Sequence, residues 1–192
     1  MSDTSLKIEP KAPSKPVADI IVVGELSPFE HEALYQLLKK HFQTKQPTYS
    51  ELEDDAIGTK VGIVFHHSYN REFFTEIFQN GWRDLKELFK QINYRRGRLG
   101  AAFSLSFTED RYRLDFSTGV LDDASLGSSM DQLSHLTSIV GQILRPEIMS
   151  KPLEKVEASF DPRSDRWQDF RAVDLAGKMC VFDESLFQWK SV

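Results

Sequence analysis

Residues 99–119 read LGAAFSLSFTEDRYRLDFSTG, in which apolar and polar side chains alternate on both sides of an acidic turn. Alternation with a period of two is typical of a β-hairpin with one buried face. Centring the turn on Glu109 and Asp110 pairs Leu105 with Leu114 and places the large apolar side chains on one face. Because Glu-Asp is a poor two-residue turn, a four-residue loop with the same register is the alternative.

Two short apolar runs before this hairpin, over 18–23 and 61–65, predict buried strands. Between them, the sequence SPFE from Ser27 to Glu30 has the composition of a helix capping box with Pro at the first helical position. A first helix is therefore expected to begin after Ser27. The polar, acidic residues of 46–58 predict a solvated loop between this helix and the second strand.

Apolar residues at helical spacing run from Phe74 to Ile92 and predict a second helix. The spacing continues across Gly81, which favours one long helix. A split at Asn80-Gly81 is the alternative, because Gly costs about 1 kcal/mol inside a helix. A second capping-box pattern at Ser129 predicts a third helix, and the shorter patterns after it predict two or three short strands.

These elements follow one another in the order β-α-β-α-β-β-α, with the short strands last. We predict an α+β fold, in which a mixed, largely antiparallel sheet with a central 99–119 hairpin packs against about three helices. Residues 1–18 contain few apolar side chains and are expected to be a flexible tail rich in Pro and Lys. Residues 19–192 then form a single α+β domain.

The composition excludes several classes of protein. The chain has 192 residues, of which 40% are apolar, so it can bury a core and is not disordered throughout. Its net charge of −5 argues against a globally basic nucleic-acid coat protein. A single cysteine, Cys180, rules out an internal disulfide framework. No apolar run approaches the length of a membrane helix and no signal-peptide core precedes the domain, so a cytoplasmic location is expected.

The first candidate site is a basic cluster around the end of the second predicted helix. Residues 83–113 contain eight Lys or Arg and four Asp or Glu, a local charge of +4 in an acidic chain. Arginine forks beside a tyrosine bind phosphates and stack on bases, whereas the structural alternative is a set of cations that complements the helix dipole. The candidate nucleic-acid or anion-binding residues are Tyr94, Arg95, Arg96, Arg98, Arg111 and Arg113.

The adjacent histidines His66 and His67 follow the second predicted strand and are the candidates for catalysis or metal binding. Neighbouring residues of a strand point to opposite faces, so the two rings are not expected to chelate one ion. No zinc-binding or nucleophile motif accompanies them, and we assign no catalytic residue, no metal ligand and no cofactor.

Aromatic residues are abundant, with fourteen Phe in the chain. One helix does not aim both Phe73 and Phe74 at the same line of the core. We therefore expect Phe73 or Trp82 to lie at a contact surface for a partner protein. The alternative is a broad apolar helix face buried against the sheet.

Three functions follow from these features. The first is a non-enzymatic adaptor or assembly subunit that binds a protein partner or a second copy of itself. The second is binding of nucleic acid or a phosphorylated ligand through the basic patch 95–113. The third is a hydrolase or metal-dependent enzyme that uses His66 or His67.

Overall fold

The computed structural model describes residues 15–50, 58–108, 112–149 and 151–192. The strands among them are β1 (Val17–Val23), β2 (Gln43–Thr44), β3 (Thr48–Ser50), β4 (Thr59–His66), β5 (Ala101–Thr108), β6 (Arg113–Ser117), β7 (Leu153–Asp161), β8 (Arg166–Asp174), β9 (Met179–Asp183) and β10 (Gln188–Ser191). The helices are α1 (Pro28–His41), α2 (Gln79–Arg95), α3 (Asp123–His135) and α4 (Thr137–Ile143). A π-helical turn at Phe73–Ile77 precedes α2, and a 3-10 turn at Gly97–Leu99 follows it.

All the described strands belong to one mixed sheet of order β10-β9-β8-β7-β6-β5-β4-β1-β2, in which β3 also pairs with β1. Five pairings are antiparallel and four are parallel. The β5–β6 hairpin lies at the centre of the sheet. The predicted α+β class, with a mixed sheet and a central hairpin, is confirmed.

The helices cover one face of the sheet. Ile20, Ile63 and Leu105 point to that face, are at most 3% exposed and belong to one apolar core that also contains the buried residues of the helices. The alternating residues of β1 point the other way, and Val17 and Ile21 are 38% and 41% exposed. The domain therefore has two layers, and no helix of the described part covers the second face, which we call the open face.

The central hairpin keeps the predicted faces but has a different register. Leu105 pairs with Phe116 and Phe107 pairs with Leu114, so every pairing is shifted by two residues from the predicted one. Leu105 and Leu114 are both buried, as diagonal neighbours and not as a direct pair. A shift of two residues preserves the faces because the side-chain period is two. It lengthens the connection to four residues, 109–112, of which 109–111 lie outside the described part.

The start of α1 is the predicted capping box. The hydroxyl of Ser27 accepts a hydrogen bond from the backbone N–H of Glu30, and the Glu30 carboxylate accepts one from the backbone N–H of Ser27. This reciprocal pair satisfies two donors that a helix start otherwise leaves unpaired.

The predicted long second helix is interrupted, which corrects the favoured interpretation. At Phe78 the backbone leaves the helical region (φ −126°, ψ 20°), so the π-helical turn ends there and α2 begins at Gln79. The Phe78 ring folds over Gly81, where any Cβ would overlap it. Gly81 lies inside α2, and its lack of a side chain leaves room for the Phe78 ring to pack there.

The third helix starts seven residues earlier than predicted. Asp122 caps α3 by accepting a hydrogen bond from the backbone N–H of Ser125 at 2.7 Å. Ser129, the predicted cap, lies inside the helix, fully buried, and its hydroxyl donates to the Leu126 carbonyl. The capping pattern at Ser129 was therefore misleading, because Ser also tolerates a helix interior where it bonds back to the preceding turn.

Phe73 and Trp82 are buried and do not form a contact surface, which corrects that expectation. Phe73 is 0% exposed and packs against Phe65 and Phe107, at centroid distances of 4.8 and 5.0 Å. Trp82 is 7% exposed, and its indole N–H donates to the Met130 carbonyl. The π-helical turn widens the apolar face, so adjacent aromatic residues both reach the core.

The first strand of the described residues begins at Val17, and Ala18 is fully buried, so the domain includes residues before the predicted boundary at 19. The ammonium group of Lys15 donates to the Lys39 and Lys40 carbonyls at the end of α1. Residues 1–14 of the predicted tail lie outside the described part. None of the helices in the described ranges is long and apolar enough to span a membrane.

Candidate functional site

The open face carries charged side chains in two adjacent rows across β6 and β7. Arg113 pairs with Lys155 and forms the cation row, and Asp115 pairs with Glu157 two residues further along and forms the anion row. The rows are about 7 Å apart, since a strand rises about 3.3 Å per residue.

Ion pairs along and between the strands join the two rows. The Nε of Arg113 lies 2.6 Å from Oδ1 of Asp115, and Nζ of Lys155 lies 3.3 Å from Oδ2 of the same carboxylate. Lys155 also pairs with Glu157, and this hydrogen bond, with the charge of Asp115, raises the pKa of Lys155. The rows together therefore present two cations and two anions that are joined by ion pairs and carry no net charge.

Beside the anion row, the open face is lined by small side chains. Gly62, Ser104, Ser117 and Ser159 are successive cross-strand neighbours on β4, β5, β6 and β7. None of them is a β-branched or aromatic residue of the kind enriched in strands. A depression of about 360 Å³ forms there. The three serines line it, and Arg113 and Asp115 lie at one side.

A β-bulge supplies the opposite rim of this depression. The pairing of β7 with β8 shifts between Glu157 and Ser159, and Asp169 adopts a left-handed backbone conformation at the bulge (φ 55°). Asp169 and Arg171 both line the depression as a result. Bulges re-aim side chains in this way and are common beside functional surfaces.

Exposed apolar side chains lie on both flanks of the open face. On one flank, Val17 and Ile21 of β1 are about two-fifths exposed. On the other, Met179 of β9 is 51% exposed and pairs with Val173 of β8. The open face thus has a polar, charge-compensated centre between two apolar margins, which is an arrangement compatible with a protein interface.

His66 lies on the open face at the end of the cation row. Its Nε2 is 2.7 Å from Oδ2 of Asp19, and its Nδ1 is 3.4 Å from the hydroxyl of Thr108. The His66 and Asp19 side chains are 46% and 44% exposed, so the cluster lies at the surface. His67 points to the other side of the strand, as predicted, where its ring bonds to the Ser68 carbonyl and lies 5.7 Å from the Phe73 ring.

Within the described ranges, no three His, Cys, Asp or Glu side chains are close enough together to hold a metal ion. The acidic pair Asp122-Asp123 serves the helix start, and hydrogen bonds from Ser125 lower the pKa of Asp122. Cys180 is a buried thiol.

The predicted basic cluster is divided by the fold. Arg96 turns inward and makes a two-pronged ion pair with Glu30 of α1, at 2.8 and 3.2 Å, and it also donates to the Thr59 hydroxyl. Burial alone would raise the pKa of Glu30, but hydrogen bonds from Arg96 and Ser27 outweigh it and lower that pKa. The fork of Arg96 is thus already occupied by a carboxylate.

The remaining members of the predicted cluster do not form one surface. Tyr94 is 78% exposed, and Arg95 lies over the Phe29 ring at 5.1 Å, near the end of α2. Arg98 follows in the 3-10 turn before β5. Arg113 pairs with Thr108, the last residue of β5, which lies about 23 Å along the strand from its first residue. Arg111 lies outside the described part.

Several residues of the open face escaped the sequence reasoning. The alternation predicts the buried face of the hairpin correctly, but the neighbours of its polar face on β7 and β8 were not identified. The only local signal was the alternation that makes Val156, Ala158 and Phe160 a buried face, which leaves Lys155 and Glu157 on the opposite face. Comparison of the chain with protein-family models, curated proteins and solved structures finds no match.

Proposed function

We propose that this protein is a non-enzymatic interaction module that binds a protein partner through the open face of its sheet. The observation that supports this function is the charge-compensated centre of that face, with exposed apolar side chains at both margins. Apolar contact area at the margins supplies affinity, and the arrangement of the charges selects the partner and its orientation.

The charge arrangement favours a protein partner over a nucleic acid. Each cation of the cation row has a carboxylate within 3.3 Å, so a phosphate approaching Arg113 or Lys155 also meets Asp115. The partner expected from this pattern presents both signs of charge and some apolar surface.

Site-specific photo-crosslinking tests the proposal. A benzophenone side chain placed at Ser117 on the open face is expected to capture a discrete protein in cells. The same group placed at Arg83, on the outer side of the helix layer, is the matched control and is not expected to capture that protein. With the captured protein purified, Lys155→Glu should weaken binding, whereas the charge-matched Arg83→Glu should leave it unchanged.

Three results would contradict the proposal. Adducts formed equally from both positions would mean that the open face has no special role. Loss of binding in both charge variants would point to a non-specific charge effect. Capture of nucleic acid by a chain that also binds RNA or DNA in solution would favour the exposed Arg95 and Arg98 as the functional surface, with a binding constant that falls steeply with salt.

A second candidate function is acyl transfer at His66, and its support is the chain of contacts from Asp19 through His66 to the Thr108 hydroxyl. The Thr108 hydroxyl donates to the Phe65 carbonyl in this structure. If it turned to His66, a carboxylate, an imidazole and a hydroxyl would form the arrangement of an activated nucleophile. An electrophilic ester or fluorophosphonate probe should then label Thr108 in the native chain and fail to label the His66→Ala variant. Equal labelling of both proteins, or none, would remove this candidate.

A further inference from the structure

We infer that the partner of the open face is a second copy of this chain, packed open face to open face about a two-fold axis that runs across the strands between the cation row and the anion row. This inference rests on the proposed function and names its partner. It follows from the self-complementary arrangement of charge.

A two-fold axis in the plane of an interface exchanges whatever lies on its two sides. The cation row, Arg113 and Lys155, lies on one side of the inferred axis, and the anion row, Asp115 and Glu157, lies on the other. The rotation therefore places the cations of one copy over the anions of the other, twice. Each Lys155 ammonium, which already contacts Asp115 and Glu157 of its own chain, gains a third carboxylate.

The dimensions of the face fit this arrangement. Sheets that pack face to face are about 10 Å apart, a distance that arginine and lysine side chains from one side can bridge. The small residues beside the anion row, Ser104, Ser117 and Ser159, leave the depression into which the long side chains of the other copy extend.

The β9 margin of the face supports the same axis. An axis that runs across the strands places β1 of one copy over β1 of the other, and β9 over β9. The strand registers align Met179 with the cation row and Val181 with the anion row, so Met179 then meets Val181 of the second copy. On the other flank, Val17 meets Asp19 of the second copy. Apolar surface is covered by apolar surface at the β9 margin, and no charge of the two rows lies opposite a charge of its own sign.

A charge-exchange experiment on the full chain tests this inference. Lys155→Glu places Glu over Glu157 of the second copy, and Glu157→Lys places Lys over Lys155. Each variant alone should dimerise at least about tenfold more weakly than the native chain, because like charges face each other. An equimolar mixture of the two variants should recover dimerisation, since every inferred contact is then between opposite charges.

Analytical ultracentrifugation across protein concentrations up to about 100 µM measures these dimer constants. Arg83→Glu, an exposed charge reversal in the helix layer, is the matched control and should dimerise as the native chain does. Circular dichroism of each variant checks that the domain is folded. Dimerisation of the native chain should also weaken as salt is raised, because the rows are partly exposed.

The outcomes separate this inference from the proposed function. A native chain that stays monomeric, with a different protein captured from Ser117, overturns the second-copy inference and leaves the proposed function standing. If both charge variants still dimerise, or if their mixture does not restore the dimer, the contact lies elsewhere, for example at the exposed edge strand β10. A monomer with no adduct from the open face contradicts both.

Discussion

Arg96 and Glu30 join the end of α2 to the start of α1 through a two-pronged ion pair in which the carboxylate is 1% exposed. The same carboxylate completes the capping box of α1 by accepting the backbone N–H of Ser27. One acidic side chain therefore caps one helix and anchors another, which makes it a point of high sensitivity to substitution.

Removal of the arginine should destabilise the fold strongly. Arg96→Ala leaves the buried Glu30 carboxylate without its counter-ion and is expected to cost about 3 kcal/mol in the free energy of unfolding. Arg95→Ala is the matched control, because the Arg95 guanidinium is 3.9 Å from Glu30 and its side chain is 46% exposed. The control should cost less than about 1 kcal/mol in urea denaturation. Equal losses of unfolding free energy in the two variants would show that Arg96 stabilises the fold only as a positive charge and not through its ion pair with Glu30.

The stabilisation from Glu30 should depend on pH in one direction. Because the pKa of Glu30 is lowered below its ordinary value of 4.5, the ionised carboxylate stabilises the fold fully above that pH. The contribution is lost as the pH falls through the lower pKa of the folded state. The difference in unfolding free energy between the native chain and Glu30→Gln should therefore shrink as the pH falls from about 7 to 3. A difference that grows on acidification would contradict the lowered pKa.

Two glycine substitutions inside helices should have opposite effects. Gly81→Ala forces a Cβ into the Phe78 ring and is expected to destabilise the domain by about 1–3 kcal/mol, despite the better helix propensity of Ala. Gly141→Ala in α4 meets no neighbouring atom and should stabilise by up to about 1 kcal/mol. Thermal unfolding of both variants measures the contrast. A stabilised Gly81→Ala would show that the Phe78 ring is not fixed over the helix.

Engineered disulfides distinguish the hairpin registers. Ser104 and Ser117 are direct cross-strand neighbours, so Ser104→Cys with Ser117→Cys should form an intrachain disulfide under mild oxidation. Ser104→Cys with Asp115→Cys joins the pair expected from a two-residue turn and should oxidise poorly, because these positions are diagonal in the sheet. Mass spectrometry under non-reducing conditions reads out both variants. Preferential oxidation of the second pair would show that the hairpin has the register of the two-residue turn.

Shortening a buried leucine side chain of the hairpin should lower the free energy of unfolding. Leu105 and Leu114 are 3% and 1% exposed in the middle of the sheet. Replacement of either by Ala is expected to cost about 2–5 kcal/mol, measured by urea denaturation. Ser104→Ala, on the open face of the same strand, is the control and should change stability little. A small effect of both leucine variants would mean that the assigned buried face is wrong.

Local sequence signals were sufficient for the features that depend on residues a few positions apart. The capping box from Ser27 to Glu30 and the alternation over 99–119 are of this kind, because side-chain period and cap chemistry are set within one or two turns of chain. They established the start of α1, the buried face of the hairpin and the α+β class.

The break at Phe78, the register of β5 and β6 and the composition of the open face depend instead on contacts between distant segments. Asp19 meets His66 across 47 positions, and the cation row joins Arg113 to Lys155 on strands separated by two helices. No periodicity encodes which strands become neighbours, because strand order is selected by how the whole apolar core closes. The charges that define the candidate surface therefore come together only when all the strands are in place.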